Sequence, residues 1–226
     1  MPSFNIVKEV DVDKTFRVAS IINKFDLQTN HVKEHFNGDF DLNFDWNIGV
    51  IVGNSGTGKT TIAKELFNKY YIEKYDYSNG SILDDMPDFC SIDEISRIFN
   101  NVGFSSPPSW LKPYSVLSTG EQMRVNLARS ILEKRDFIVF DEFTSTVDRN
   151  VAKIGSFAIS KAIKKNNKKF IAVSCHFDII DWLEPDWVFN TNNMVFLKKN
   201  EKNQILNLNC IKQQINFGKC LKNIII

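Results

Sequence analysis

The chain has 226 residues, 43% of them hydrophobic and 24% charged, an ordinary globular composition that can bury a core without disulfides or metals. Its 28 lysines and arginines balance 27 acids, leaving a net charge of +1, which excludes nucleic-acid binding driven by charge alone and an acidic disordered tail. No run of about 18 apolar residues marks a membrane span, the N-terminus lacks the basic-then-apolar pattern of a secretion signal, and four dispersed cysteines with no C-x-x-C pair read as reduced thiols of a cytoplasmic chain.

In chain order, Phe4–Val7 and Thr15–Ala19 alternate roughly as strands, and Val32–Phe36 reads as a helical turn. Phe40–Trp46 alternates apolar and polar residues with period two, the mark of a half-buried strand. Ile48–Val52 is a continuous apolar run, as in a strand buried on both faces. A helix is predicted from Lys59 to about Tyr70, and Ser91-Ile92-Asp93-Glu94 opens a second with a capping box. Gly103 and Pro107-Pro108 force a loop. Helices over Gly120–Glu133 and Asp148–Lys165 then alternate with buried strands at Phe137–Phe140 and Phe170–Ser174. Strands alternating with helices predict an α/β fold with a largely parallel core sheet. Residues 1–200 read as one domain, and residues 201–226 as an edge strand with a poorly determined end. Lys161, Lys164, Lys165, Lys168 and Lys169 close a helix, where cations oppose the negative end of its dipole, and read as a solvated helix end rather than a DNA patch.

Gly53-Asn54-Ser55-Gly56-Thr57-Gly58-Lys59-Thr60 matches the pattern G-x-x-x-x-G-K-[ST], with Thr61 following, between a buried strand and a helix. Its glycines let backbone N–H groups turn inward around phosphate oxygens, and the helix N-terminus adds partial positive charge. Lys59 is placed to reach the β- and γ-phosphates of ATP and Thr60 to ligate Mg²⁺. The strand Phe137–Phe140 runs into Asp141-Glu142 at its C-terminal end, where open α/β sheets place ligands. Asp141 is the expected Mg²⁺ carboxylate, and Glu142 the expected base for the attacking water.

Leu117-Ser118-Thr119-Gly120-Glu121-Gln122 resembles the signature of ABC-type ATPases, usually Leu-Ser-Gly-Gly-Gln, followed by a helix and the Asp-Glu strand. Ser145-Thr146-Val147-Asp148 resembles that family's D-loop, and His176 its switch histidine. The resemblance implies a P-loop NTPase of the ABC type, with a parallel core sheet, an N-terminal antiparallel β part and a reduced helical subdomain. It also implies an ATP-dependent homodimer packed head to tail, in which Ser118, Gly120 and Glu121 of one copy close on ATP·Mg²⁺ held by the other. Asp148 and His176 join Glu142 as the implied catalytic set. The strings Val102–Leu111, Asp141–Arg149 and Ser174–Trp187 resemble, more narrowly, a small non-transporter family of phage and prokaryotic ABC ATPases often fused to a predicted acetyltransferase domain. That likeness implies a separate effector, acetyltransferase-like or otherwise, in a DNA modification or defence setting.

Three departures stand out. No glutamine occurs between Thr61 and Leu117 to serve as the Q-loop residue, and Asp84 or Asp85 is as readily a turn acid as a substitute. The stretch between Lys59 and Ser118 is shorter than transporter ATPases usually have, and Thr119 and Glu121 replace the signature's Gly and Gln. The transporter subunit and an ATP-dependent clamp on DNA or protein stand as rival readings, with nucleic acid an open partner that the charge does not indicate. His31 and His35 read as a surface helix rather than a zinc pair. Phe16, Phe25 and Phe36 are candidates for the adenine platform, and Trp110, Trp182 and Trp187 for packing under loops or for partner docking.

Overall fold

The computed structural model describes residues 3–11, 15–26, 31–72, 75–78, 80–145 and 147–199. The expected tail, 201–226, lies outside them, as does Thr146. The chain divides into two compact units, Met1–Phe44 and Asp45–Ile226, a division that falls inside the span expected as one domain.

The first unit is an antiparallel hairpin of β1 (Ser3–Asp11) and β2 (His31–Asp39), with helix α1 (Phe16–Phe25) between them. The structure corrects four expectations here. The Thr15–Ala19 strand is the start of α1, because the Thr15 hydroxyl caps the helix by accepting from the Val18 amide (3.3 Å). The Val32–Phe36 turn is part of β2, because β1 supplies a full ladder partner, with Ile6 opposite Phe36. His31 and His35 therefore lie on strand β2 and not on the surface helix expected for them. Phe36 is buried, while Phe16 and Phe25 are exposed on α1, which buries none of its residues. The strand expected over Phe40–Trp46 does not form: the Asp41 carboxylate accepts from the Asn43 amide (3.2 Å), a local turn that competes with ladder formation.

The second unit holds a six-stranded sheet made of β3 (Ile48–Val52), β4 (Tyr71–Ile72), β5 (Phe137–Phe140), β6 (Lys169–Ser174), β7 (Trp187–Asn190) and β8 (Val195–Lys198). Their order is β4-β5-β6-β3-β7-β8, parallel throughout except for the antiparallel β7–β8 edge. The fold is that expected, a mainly parallel core with a separate antiparallel sheet, although β7 and β8 themselves were not expected. Helix α2 (Lys59–Phe67) packs on β3, β4 and β6. Helices α3 (Ile92–Asn101), α5 (Thr119–Leu132), α6 (Arg149–Lys165) and α7 (Ile179–Leu183) share a buried cluster with Ile48, Val50 and Val52 of β3 and Phe170 and Ala172 of β6. The short helix α4 (Pro107–Trp110) belongs to the loop before the signature. Its Trp110 donates from Nε1 to the Phe104 carbonyl (2.8 Å) and packs on Phe99, so this tryptophan is core. Trp187 is buried as well, edge-on to Trp46, and Trp182 lies beneath the Arg149 guanidinium.

Strand register explains where the site falls. Val52 of β3 pairs with Ser174 of β6, and Phe140 of β5 pairs with Ala172 of β6. The segments that follow these strands, Gly53–Thr60, Asp141–Ser145 and Cys175–Asp178, leave the sheet side by side from its C-terminal edge. Among the described residues no helix is long and apolar enough to cross a membrane.

Candidate functional site

The loop Gly53–Gly58 leaves β3 and feeds directly into α2. Gly58 stands at the helix N-cap with φ 82°, a left-handed conformation that glycine adopts without a Cβ penalty. No side chain caps α2, so no side chain competes for the amides of its first turn. Gly53 is required for a different reason: a Cβ there would sit 2.0 Å from the Thr191 hydroxyl. Thr191 and Asn192 lie in the β7–β8 turn, which pins the loop from behind. The Thr191 amide donates to the Val52 carbonyl (2.8 Å), its hydroxyl is bonded to that of Thr57, and the Asn192 carboxamide accepts from the Asn54 amide (2.9 Å). The Lys59 ammonium crosses the loop to donate to the Asn54 carbonyl (2.7 Å). Ser55 and Gly56 are exposed at the loop tip.

Asp141, at the end of β5, meets this loop. Its Oδ2 accepts from the Thr60 hydroxyl (2.8 Å) and from the Tyr71 hydroxyl, and its Oδ1 from the Glu142 amide (2.8 Å). Lys59 and Thr60 are thus brought together with a carboxylate distant in sequence. The following turn is strained: Glu142 (φ 51°) and Thr144 (φ 64°) are left-handed without being glycine, each at a cost of about 1–3 kcal/mol. Buried Phe143 holds the turn in place by donating its amide to the Val173 carbonyl (2.9 Å) and packing edge-on against Phe170. The strain leaves the Glu142 side chain exposed at the strand end.

His176 follows β6, and its amide donates to the Ser174 hydroxyl (3.1 Å). Burial, with the Arg149 charge nearby, pushes its pKa down despite opposing Asp178 and Glu142, so the ring is neutral at pH 7. Its Nδ1 is buried without a partner. A buried unpaired N–H costs more than an unpaired lone pair, which favours the tautomer with the proton on Nε2. Arg149 is clamped by a two-pronged ion pair with Asp178 and by the Trp182 ring, 4.8 Å from its guanidinium. Asp148 caps α6 by accepting from the Asn150 amide (2.8 Å).

The signature residues form a closed unit. Ser118 is the N-cap of α5, where the Glu121 carboxylate accepts from both the Ser118 amide (3.0 Å) and hydroxyl (2.8 Å), and the Glu121 amide donates back (3.4 Å). Partial burial raises the Glu121 pKa, but these bonds, others from Ser109 and the charge of Lys112 outweigh it and leave the pKa below the usual carboxylate range. Gly120 is buried against Val151 of α6, where a Cβ would come within 2.9 Å. A cavity of about 200 Å³ separates α5 from the strand-end acids; Tyr75, Thr119, Gln122, Asn126, Asp141 and Glu142 are among its lining residues. Asp84 and Asp85 are not among them: they accept from the Ser81 hydroxyl (2.6 Å) and the Ser78 amide (2.8 Å), as acids in a turn. Tyr75 lies just after β4, the strand beside Asp141, and burial pushes its hydroxyl pKa up to about 12, so it remains a neutral donor. Thr191, Asn192, Tyr71 and Tyr75 escaped the sequence reading. The Asn190–Asn193 run after an apolar strand was the one local sign of the first pair.

The Thr60 and Asp141 oxygens, beside the loop lysine, form a hard-oxygen set that fits Mg²⁺ completed by phosphate oxygens. A phosphate-type loop at the C-terminal edge of a parallel sheet, facing an acid-ended strand two places along, defines a P-loop NTPase fold of the AAA/ABC-like kind. The family described as an AAA domain matches residues 43–164, more than half of the chain, and the chain belongs to it. The chain is 29% identical over 176 residues to the oligomycin resistance ATP-dependent permease YOR1 of Saccharomyces cerevisiae. That match spans 62% of this chain but only 11% of the permease. Among solved structures, a bacterial Atm1-family ABC exporter with ATP bound superposes with TM-score 0.52 at 18% identity, over 64% of this chain and 32% of that one. A chain described as a metal-chelate type ABC transporter in an inward-facing conformation gives TM-score 0.55 at 14% identity, over 77% of this chain and 78% of that one. AAA/ABC P-loop domains bind ATP, typically with Mg²⁺.

Proposed function

We propose that the protein is an ABC-type ATPase that hydrolyses ATP·Mg²⁺ at sites shared between two copies packed head to tail, and that this cycle drives a conformational change in a separate effector. The observation that carries the reading is the meeting of Thr60 and Asp141 (2.8 Å) beside Lys59, three residue types suited to one phosphate–metal group. Bound Mg²⁺ supplies charge neutralisation at the phosphates. Gly53, Asn54, Ser55, Gly56, Thr57, Gly58 and Thr61 form and continue the phosphate loop, Lys59 and the uncapped α2 N-terminus oppose phosphate charge, and Thr60 and Asp141 hold the metal. Glu142, exposed by its strained turn, takes the proton of the attacking water. His176, neutral with its proton on Nε2, donates to the γ-phosphate, and Asp148 orders the adjoining loop. Ser118, Gly120 and Glu121 of the second copy complete the site, which requires the Ser118 hydroxyl to leave its Glu121 partner.

The test mixes Ser118→Arg with Lys59→Ala protein. Each variant alone lacks one half of every shared site, whereas a mixed dimer has one complete site. Partial recovery of ATPase activity on mixing is expected; wild-type activity of either variant alone, independent of protein concentration, refutes the shared site.

A second reading, the nucleotide-binding subunit of a membrane transporter, is favoured by the printed names of the similar proteins, which are a permease, an exporter and a transporter. Capturing what associates with Glu142→Gln protein held in ATP separates the two: a membrane protein supports the transporter, and an effector without membrane spans, such as an acetyltransferase, supports the first reading. Stimulation of turnover by DNA would point instead to a nucleic-acid clamp.

A further inference from the structure

Tyr71 contributes nothing to the sequence motifs, yet its hydroxyl ends on the carboxylate at the centre of the site. Strand β4 is two residues long and lies beside β5, with Tyr71 opposite Val139, two residues before Asp141. From there Tyr71 donates to Asp141 Oδ2, the oxygen that also accepts from Thr60 (2.8 Å), while Oδ1 is held by the Glu142 amide (2.8 Å). Three donors from three segments therefore fix both carboxylate oxygens. The Tyr71 ring is itself held: the Lys64 ammonium of α2, the helix that begins with Lys59, lies 4.9 Å from its centroid. Tyr71 thus ties the phosphate-loop helix to the acid-bearing strand.

We infer that Tyr71 is a positioning residue for metal binding at Asp141. The inference rests on the reading of Thr60 and Asp141 as the Mg²⁺ pair. In that reading the Thr60 hydroxyl gives a lone pair to the metal while its hydrogen still serves Asp141, and Tyr71 is the second side chain that orients Oδ2, from the neighbouring strand. A hydrogen-bonded partner behind a ligating carboxylate fixes its direction and tunes its charge, and loss of such a partner typically costs about 10–100-fold in metal affinity.

The experiment measures ATP binding by equilibrium titration, first in EDTA and then at increasing Mg²⁺, for wild type, Tyr71→Phe and Asp141→Asn. Phenylalanine keeps the ring beneath Lys64 and removes only the hydroxyl. For Tyr71→Phe the Mg²⁺ concentration at half-effect is expected to rise about tenfold or more, with ATP affinity in EDTA unchanged. Mn²⁺ binding to the protein–ATP complex, followed by electron paramagnetic resonance, should weaken in parallel. A purely structural tyrosine would instead lower the melting temperature or the EDTA affinity and leave the Mg²⁺ and Mn²⁺ dependence at wild type, which overturns the inference. If Asp141→Asn shifts the metal dependence and Tyr71→Phe does not, the role of Tyr71 fails while the metal site stands. If Asp141→Asn leaves the dependence unchanged, the metal site itself fails and the inference with it.

Discussion

Two helices of this protein begin at glycine-containing motifs, and their N-termini are built in opposite ways. Helix α2 starts at left-handed Gly58 with no side chain on its first amides. Helix α5 starts at Ser118 with a complete capping box, closed by the Glu121 carboxylate. Both ends carry the same partial positive charge and unpaired amides. At α2 no side chain takes a first-turn amide, whereas at α5 the Ser118 hydroxyl accepts from the Glu121 amide and the Glu121 carboxylate accepts from the Ser118 amide. A signature pattern in a sequence therefore does not by itself describe a ready donor set: here the serine hydroxyl donates to Glu121 of its own helix.

The comparison breaks first at the chemistry. If the open α2 end and the Asp141–Glu142 strand end form one site, Glu142→Gln should keep ATP binding and lower turnover by about 10²–10⁴-fold; steady-state hydrolysis alongside equilibrium ATP binding checks both halves. Lys59→Ala should weaken ATP binding by about 10–100-fold, in line with the roughly 1.5–3 kcal/mol of a charge-assisted hydrogen bond, as read by titration with ATP. An affinity unchanged within about threefold, well below that energy, would show that the open end is not the phosphate site. Gly53→Ala should cost about 1–3 kcal/mol of stability by overpacking, because its Cβ would strike the Thr191 hydroxyl; denaturant unfolding measures it.

Glu121→Ala should remove about 0.3–1 kcal/mol of helix-end stabilisation, with no matching loss available at α2, which has no side-chain cap. Since the Glu121 pKa is lowered in the folded chain, this contribution is present above the unfolded pKa and is lost as pH falls through the folded one, so the gap between variant and wild type should close in acid. The smallest expected effect is at His176. Its folded pKa lies below the ordinary 6.5, so the unfolded chain binds the proton first as pH falls. Wild type should lose more stability than His176→Asn between that value and the lowered folded pKa, and the two should run parallel above it.

The phosphate loop and the Asp141-Glu142 strand end were legible because each is a local pattern whose meaning depends on its flanks. The same holds for α3, α5 and α6, which start within a residue or two of their capping residues Ser91, Ser118 and Asp148. What was misread lacked such local determination. Phe16–Ala19 alternates weakly, and the Thr15 cap tips it into a helix; Val32–Phe36 becomes a strand because β1 offers it a ladder. Strands β7 and β8 were missed because their short apolar runs fit a helix end or a loop equally well until β7 pairs with β3 and β8 with β7.

By itself the sequence determined the class of protein and pointed to a candidate phosphate loop, because phosphate recognition needs glycines, a lysine and a hydroxyl at fixed spacing along one turn. Only the tertiary structure decided which groups hold those residues in place. Tyr71 reaches Asp141 across a strand pair, and Thr191 and Asn192 brace the loop from the far side of β3. The bracing contacts join residues far apart in the chain, and no local pattern encodes them: they exist once strand order and register have placed those segments at the same edge of the sheet.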